Sequence, residues 1–531
     1  MKFFLILIFT IFFVGNVKSN NVTVGISGYQ PRVAPSFYYD VLEFYLSWDN
    51  SWNNIVYRDG AQTTLKDGAF VFFKYRLPNG TVHPIYPTLH SPVEGTDLAV
   101  TNLMNLNGML ITRNSLGNGT ISGSFSISFL ALPEDVEILA FAVEIVQVPS
   151  LLPFYYRLGD GYDGSSESTN AFHHVDNFFS TGSFLQTDVN SFDDGEIEPP
   201  NTIRVTDGIT EAAIDNPNFP PLYKSFICMK YEISQGIYRD FLNTLTLAQQ
   251  TSRTANSPTS AIGTGALTVS GANRNFIEIK SPSSNGSPAI YGCDASGNNE
   301  YDQANDGESI ACNFLSWMDV AAWLDWAGLA PMTEIQYEVA STRITGHYTF
   351  DYAWGQSIHN NPLTITNPGM ASEVISNASI TLGNANYLGS ATNGPLRNGI
   401  FSTPTSNNRK KSGATFFGIM DMSGNLNEAC VTVGNVAGRS FNKELNLAQS
   451  NGNGVLAANG NALVSYWPGN VALATTETVA NAEVTTAAGT IVRGGSFLDI
   501  ADKLRKADRS QGQVPATRTA TQGGRGVLNL P

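Results

Sequence analysis

The sequence predicts an α+β protein: an all-β, sandwich-like unit first, then an irregular mixed unit with a few helices and long polar loops. Three observations carry this. Between Ile121 and Phe129, apolar residues alternate strictly with polar or small ones, the period of two that a half-buried strand requires. Further on, Glu232 to Leu245 places Ile233, Ile237, Phe241, Leu242 and Leu245 on one helical face. The segments 247–290, 360–412 and 445–488 are rich in Ser, Thr, Asn, Ala and Gly, and loops of that length are either functional or mobile.

The chain opens Met1-Lys2 and runs through apolar residues to Val14. A positive start before a short apolar core is the pattern of a secretory signal peptide, assigned here to 1–19 with cleavage after Val17-Lys18-Ser19. The run is shorter than the roughly 20 residues a bilayer span needs. The expected location is outside the cytoplasm: secreted, extracellular, periplasmic or at the cell surface. Val136 to Phe154 is the most apolar later segment, but it carries Glu137, Glu144, Pro149 and Pro153, which argues for strands and against a membrane span.

Residues 20–150 form the expected all-β unit. Val41–Leu46 and Phe70–Arg76 are apolar, aromatic-rich runs, with turns at Pro78-Asn79-Gly80 and Leu116-Gly117-Asn118-Gly119. Trp48 and Trp52 either form a carbohydrate-stacking platform or pack internally. Residues 151–531 form the second unit. Its start, 158–220, has loop composition; His173, His174 and Asp176 are poorly spaced for one metal ion, and Asp193, Asp194 and Glu196 read as a solvated acidic cluster. Ser316 with Asp319, and Thr333 with Gln336, read as capping boxes opening two more helices.

Of the 531 residues only 14% are charged, and the net charge is −15. That balance repels phosphate backbones and excludes nucleic acid as a partner. Four cysteines occur, Cys228, Cys293, Cys312 and Cys430. An even count in an exported chain suggests disulfides, with three pairings possible. Cys293–Cys312 is favoured because it brackets one compact acidic loop, leaving Cys228–Cys430; the alternative is four buried thiols.

Four blocks follow one another in the second unit. They are Phe226–Ser234 with Tyr238–Asn243; Leu315–Trp323 with Pro331–Glu338 and Tyr352–Gly355; Phe417–Glu428; and Val492-Arg493-Gly494-Gly495-Ser496-Phe497. Together they resemble the formylglycine-generating enzyme, or sulfatase-modifying factor, family over roughly residues 150 to 531. The resemblance implies an irregular frame related to C-type lectins. It also implies copper held by two cysteines, soft thiolates that suit Cu(I), for oxidising a sulfatase cysteine to formylglycine. Their positions, three and eight after Ser496, are Asp499 and Leu504. No copper and no catalytic residue of that kind is therefore expected.

A sister branch uses non-haem iron on a histidine cluster. The six histidines here, His83, His90, His173, His174, His347 and His359, show no pair at helical ligand spacing. Family calcium maps to Asn425 and Glu428, an amide and a carboxylate of the kind that hard cation takes. A second oxygen-rich segment is Asp294 to Glu308. The family's peptide-binding face maps to the charged stretch containing Asp499, Arg505 and Arg509, which is either a recognition surface or internal ion pairing. The expected function is an exported, non-catalytic protein that binds a protein or glycan, or a structural component of the cell surface. The alternatives are an oxidoreductase with a relocated metal site and a non-catalytic accessory to sulfatases.

Overall fold

The structure is a computed structural model. It describes residues 17–19, 22–31, 39–58, 61–92, 97–102, 107–149, short pieces between 157 and 220, and then 224–341, 351–361, 364–389, 393–403, 406, 408–442, 451–470 and 483–530. Of the expected leader only the backbone of Val17–Ser19 is described, as a strand β1 pairing with β2 (Val22–Gln30). His173, His174, Asp193, Asp194, Glu196 and His347 lie outside the described residues, as do the side chains of His90 and Asp176.

Strands dominate, with few helices, so the α+β expectation holds. One extended sheet runs β1, β2, β3 (Tyr39–Arg58), β4 (Ala61–Arg76) and β10 (Glu137–Val148), and continues through the strands Phe226–Met229, Gly526–Asn529, Ala330–Thr333, Glu428–Val431 and Thr490–Arg493. Strand β8 (Gly108–Arg113) pairs with β4, and β9 (Gly117–Leu130) pairs with β3.

The side-chain pattern explains which faces are covered. On β9, Ile121, Phe125, Ile127 and Phe129 are buried and the intervening serines are not, as alternation demands of a strand with one wet face. On β4 the run Ala69-Phe70-Val71-Phe72-Phe73 is buried throughout. Ala69, Val71 and Phe73 enter a core with Phe44 of β3 and Phe125 of β9. Phe70 and Phe72 point the other way, into a core shared with the helices of the C-terminal part. Trp326 sits edge-on to both Phe72 and Phe141, 5.1 and 4.8 Å between centroids. A continuous apolar run is what a strand buried on both faces needs.

The helices begin where the capping residues place them. Ser234 caps α1 (Gln235–Leu242). Ser316 and Asp319 form the reciprocal box of α3 (Trp317–Ala327), which ends on Gly328 in the left-handed region. Thr333 and Gln336 exchange bonds of 3.0 and 3.1 Å at the start of α4 (Glu334–Ser341). Among the described residues no helix is long and apolar enough to cross a membrane.

The disulfide expectation is corrected. All four cysteines are free, buried thiols. Cys228 is in register with Val527, Val527 with Ala330, and Met332 with Cys430. Two strands therefore separate Cys228 from Cys430, and three inter-strand steps of about 4.8 Å far exceed the roughly 7 Å Cα limit of a disulfide. Cys293 closes the strand Ile290–Cys293 and shares one apolar core with Cys312, yet both remain free thiols. Burial pushes the Cys228 thiol up to about 12.

Candidate functional site

The site expected from the sequence is built after the strand Thr490–Arg493. Gly494 and Gly495 both take positive φ, 81° and 66°. A Cβ on Gly494 would lie 2.9 Å from the Met422 carbonyl oxygen, and one on Gly495 would lie 2.8 Å from Leu504 Cδ1. Only glycine tolerates both the conformation and the approach. The turn delivers Ser496, whose amide and hydroxyl donate to Asp499 Oδ2 at 2.8 and 2.6 Å. Asp499 thus closes a turn.

Leu504 ends a short 3₁₀ turn, Ala501–Leu504. Its side chain is fully buried in a small core with Tyr352, Trp354, Ala385 and Tyr387. Tyr352 and Trp354 stack at 4.8 Å, and the Tyr387 hydroxyl lies 2.6 Å from His359 Nδ1. Ser423 Oγ donates to the Leu504 carbonyl at 2.8 Å. Of the two positions that the resemblance gives to copper thiolates, one holds an apolar plug and the other a hydrogen-bonded carboxylate. Neither is a ligand set for Cu(I).

The charged residues of this stretch divide. Arg505 donates to Asp502 Oδ1 at 2.6 Å at the surface. Arg509 turns inward, forking onto Glu334 at 2.8 and 3.1 Å. Arg493 approaches the same carboxylate at 3.1 Å and also pairs with Glu338. Burial alone would raise the Glu334 carboxyl, but Arg509 and then Arg493 outweigh it and hold it below its usual value. Thr432 Oγ and the Val433 amide complete its shell. Arg509 is thus a framework residue.

Asn425, at φ 70°, is a junction. Its Oδ1 accepts from Asn386 Nδ2 at 3.1 Å and from the Leu396 amide at 2.8 Å, and its Nδ2 donates to Glu232 Oε2. Glu428 Oε1 pairs with Arg525 at 2.5 Å, while its buried Oε2 has no hydrogen-bond partner among the described residues. Of the two expected calcium ligands, Glu428 keeps an open oxygen; Asn425 would have to release its partners. Burial, then Asp421 and Glu428, push the Glu232 carboxyl well up. In the Asp294–Glu308 loop, Asp294 and Asp306 accept from loop amides, and Asp302 and Glu308 pair with Arg239. Among the described residues no group of three or more His, Cys, Asp or Glu is placed to hold a metal ion.

Sequence reasoning missed the aromatic set around Leu504, although Tyr352 and Trp354 stand in one of the motif blocks. It also missed an apolar rim. Leu388, Leu498 and Ile500 are 58%, 47% and 53% exposed. Two backbone bonds gather them, Leu388 N to Asp499 O at 2.8 Å and Gly389 N to Phe497 O at 2.6 Å.

Compared with protein families, residues 188–530 match the sulfatase-modifying factor enzyme 1-like domain. The chain belongs to the sulfatase-modifying factor family. A comparison with curated proteins found no match. Several buried groups of this family domain lie in the quoted blocks: Glu334 and Glu338 in the second, Asn425 and Glu428 in the third, and Arg493 in the fourth.

Proposed function

We propose that this member of the sulfatase-modifying factor family is exported and non-catalytic, and that it binds a protein on the face above Leu504. The finer architecture in this reading is a sandwich-like module over 20–150 and a C-type-lectin-like frame over 151–531. One observation carries it: Leu504, at a position the resemblance assigns to a copper thiolate, is buried under Tyr352, Trp354 and Tyr387. A side chain doing packing work there leaves nothing to reduce or bind copper. The partner is read as protein, not glycan, because the aromatic rings on this face are buried while aliphatic Leu388, Leu498 and Ile500 are exposed. Sugars favour exposed aromatic faces; exposed aliphatic groups rimmed by charge, here Asp502 and Arg505, suit a protein surface.

Purified protein should convert no cysteine in a sulfatase-type peptide and hold no stoichiometric copper or iron. Conversion, or either metal at one per chain, would overturn the reading and revive the oxidoreductase. Calcium at one per chain is compatible, with Glu428 Oε2 as its open ligand. If the frame is retained, the double variant Asp499→Cys, Leu504→Cys should gain Cu(I) binding. Leu498→Glu with Ile500→Glu should abolish co-purification of any partner from the native source; a partner kept by that variant binds elsewhere.

A further inference from the structure

A cavity of about 420 Å³ lies where β4 and β5 (Val82–Ile85) meet α3, the segment joining α1 to α2 (Leu247–Arg253), and the loop 454–458. It is outside the Asp499–Arg509 face and independent of the reading given to that face. Its volume is in the range of small-molecule sites, about 300–1,000 Å³.

Lys74 is the cationic residue of its wall. The side chain is buried, 1% exposed, against Trp326, with Nζ 5.3 Å from that ring. Nζ donates to the Gly454 carbonyl at 3.2 Å. Gly454 comes so close that a Cβ there would stand 3.3 Å from Nζ. Among the described residues no carboxylate lies within ion-pair distance of this amine, unlike buried Lys230, which touches two. The rest of the wall is uncharged or a histidine: Thr81, His83, Leu245 and Val455 contribute polar and apolar surface.

The other titratable groups around it are Asp325 on α3, His83 and Tyr75, stacked at 5.2 Å, and Tyr86. Asp325 is occupied: its oxygens accept from the Asn453 and Leu463 amides at 3.0 and 2.9 Å. Burial pushes the Lys74 amine down to about 7, with Asp325 opposing, and pushes Asp325 up to about 6. A buried amine with a donor to spare, in an open cavity, calls for an anion. Among the described residues the cavity offers one cation, and Asp325 is already held by backbone amides, which suits a singly charged acid better than the two charges of a phosphate.

We infer that this cavity binds a small organic acid, its carboxylate paired with Lys74 Nζ and its apolar body against Trp326, Leu245 and Val455. The bound carboxylate raises the amine's midpoint, so binding takes up protons near neutrality. Affinity is then full below about pH 7 and falls as pH rises toward the midpoint of the complex.

Calorimetry with phenylacetate and its neutral isostere phenylacetamide tests this on the full chain. At about pH 6 the acid should bind at least about tenfold tighter than the amide, and that preference should vanish by about pH 9. Lys74→Met should erase the preference; burying a methionine there removes no ion pair. Val455→Trp should block both probes, since Val455 is 40% exposed and its replacement can fill the cavity without disturbing the core. Equal affinity for acid and amide, binding of neither, or binding untouched by both variants would overturn the assignment.

Discussion

Lys230 Nζ lies 2.9 Å from Glu144 Oε2 and joins the sheet of the N-terminal part to the end of the strand Phe226–Met229 in the family domain. The same amine reaches Asp67 at 3.2 Å, and all three side chains are buried. Asp67 also accepts from Ser51 Oγ and the Trp52 amide. Beside this node β10 and the strand Phe226–Met229 are paired, from Ile145 with Met229 to Val148 with Phe226. The two parts of the chain therefore share backbone hydrogen bonds, an ion cluster and a core.

Removing the amine leaves two buried carboxylates without their cation. Lys230→Met should cost about 3–5 kcal/mol, the range for breaking a buried pair from one side. Urea unfolding would show it as a drop in midpoint with one cooperative transition. A loss below about 1 kcal/mol would mean that water reaches the node.

Glu334 should behave in the same way. It answers Arg493 and Arg509 together, so Glu334→Gln exposes two buried guanidinium groups to a neutral partner. A loss of about 3–5 kcal/mol is expected. Arg509→Met should cost less, because Arg493 still holds the carboxylate.

Leu504→Ala should cost about 2–5 kcal/mol by opening a void among Tyr352, Trp354 and Tyr387. Denaturant unfolding measures it. A near-neutral result would mean that the aromatic set collapses onto the space.

The pH dependence has a definite sign. Burial raises the folded-state values of Glu232, Asp421 and Glu428. The folded chain therefore holds protons that the unfolded chain has released, and stability from these groups falls as pH rises above their unfolded values, about 4. Glu334 is shifted down, so its contribution is lost only as pH falls below that range. From about pH 5 to about pH 7 stability should fall, read from urea midpoints, before the buried Lys74 amine, held at about 7, adds stability in the opposite sense at higher pH. A rise over that first interval would sink this account.

Reductant should not move the unfolding midpoint, because all four cysteines are free. Thiol titration should count none in the native protein and four after denaturation. Fewer than four in denaturant would show a bridge.

Much was legible in sequence because it is local. The alternation on β9, the boxes Ser316/Asp319 and Thr333/Gln336, and the face of α1 each depend on residues within a few positions of one another. The family blocks were legible too, being short runs whose residue types are set by turns such as Gly494-Gly495. What pairs across the chain was not. Evenness of the cysteine count suggested bridges, yet strand order alone puts two strands between Cys228 and Cys430. Charge along 499–509 left open whether Arg509 faces solvent or Glu334, 175 positions away. The run Phe70–Phe73 declared itself apolar without saying that its two faces enter different cores. Sequence by itself determined the elements and the family, since these rest on local periodicity and short motifs. Only the tertiary structure decided that Leu504 packs, that Arg509 supports the frame and that Lys74 lines a cavity, because burial and pairing belong to residues that meet only in the folded chain.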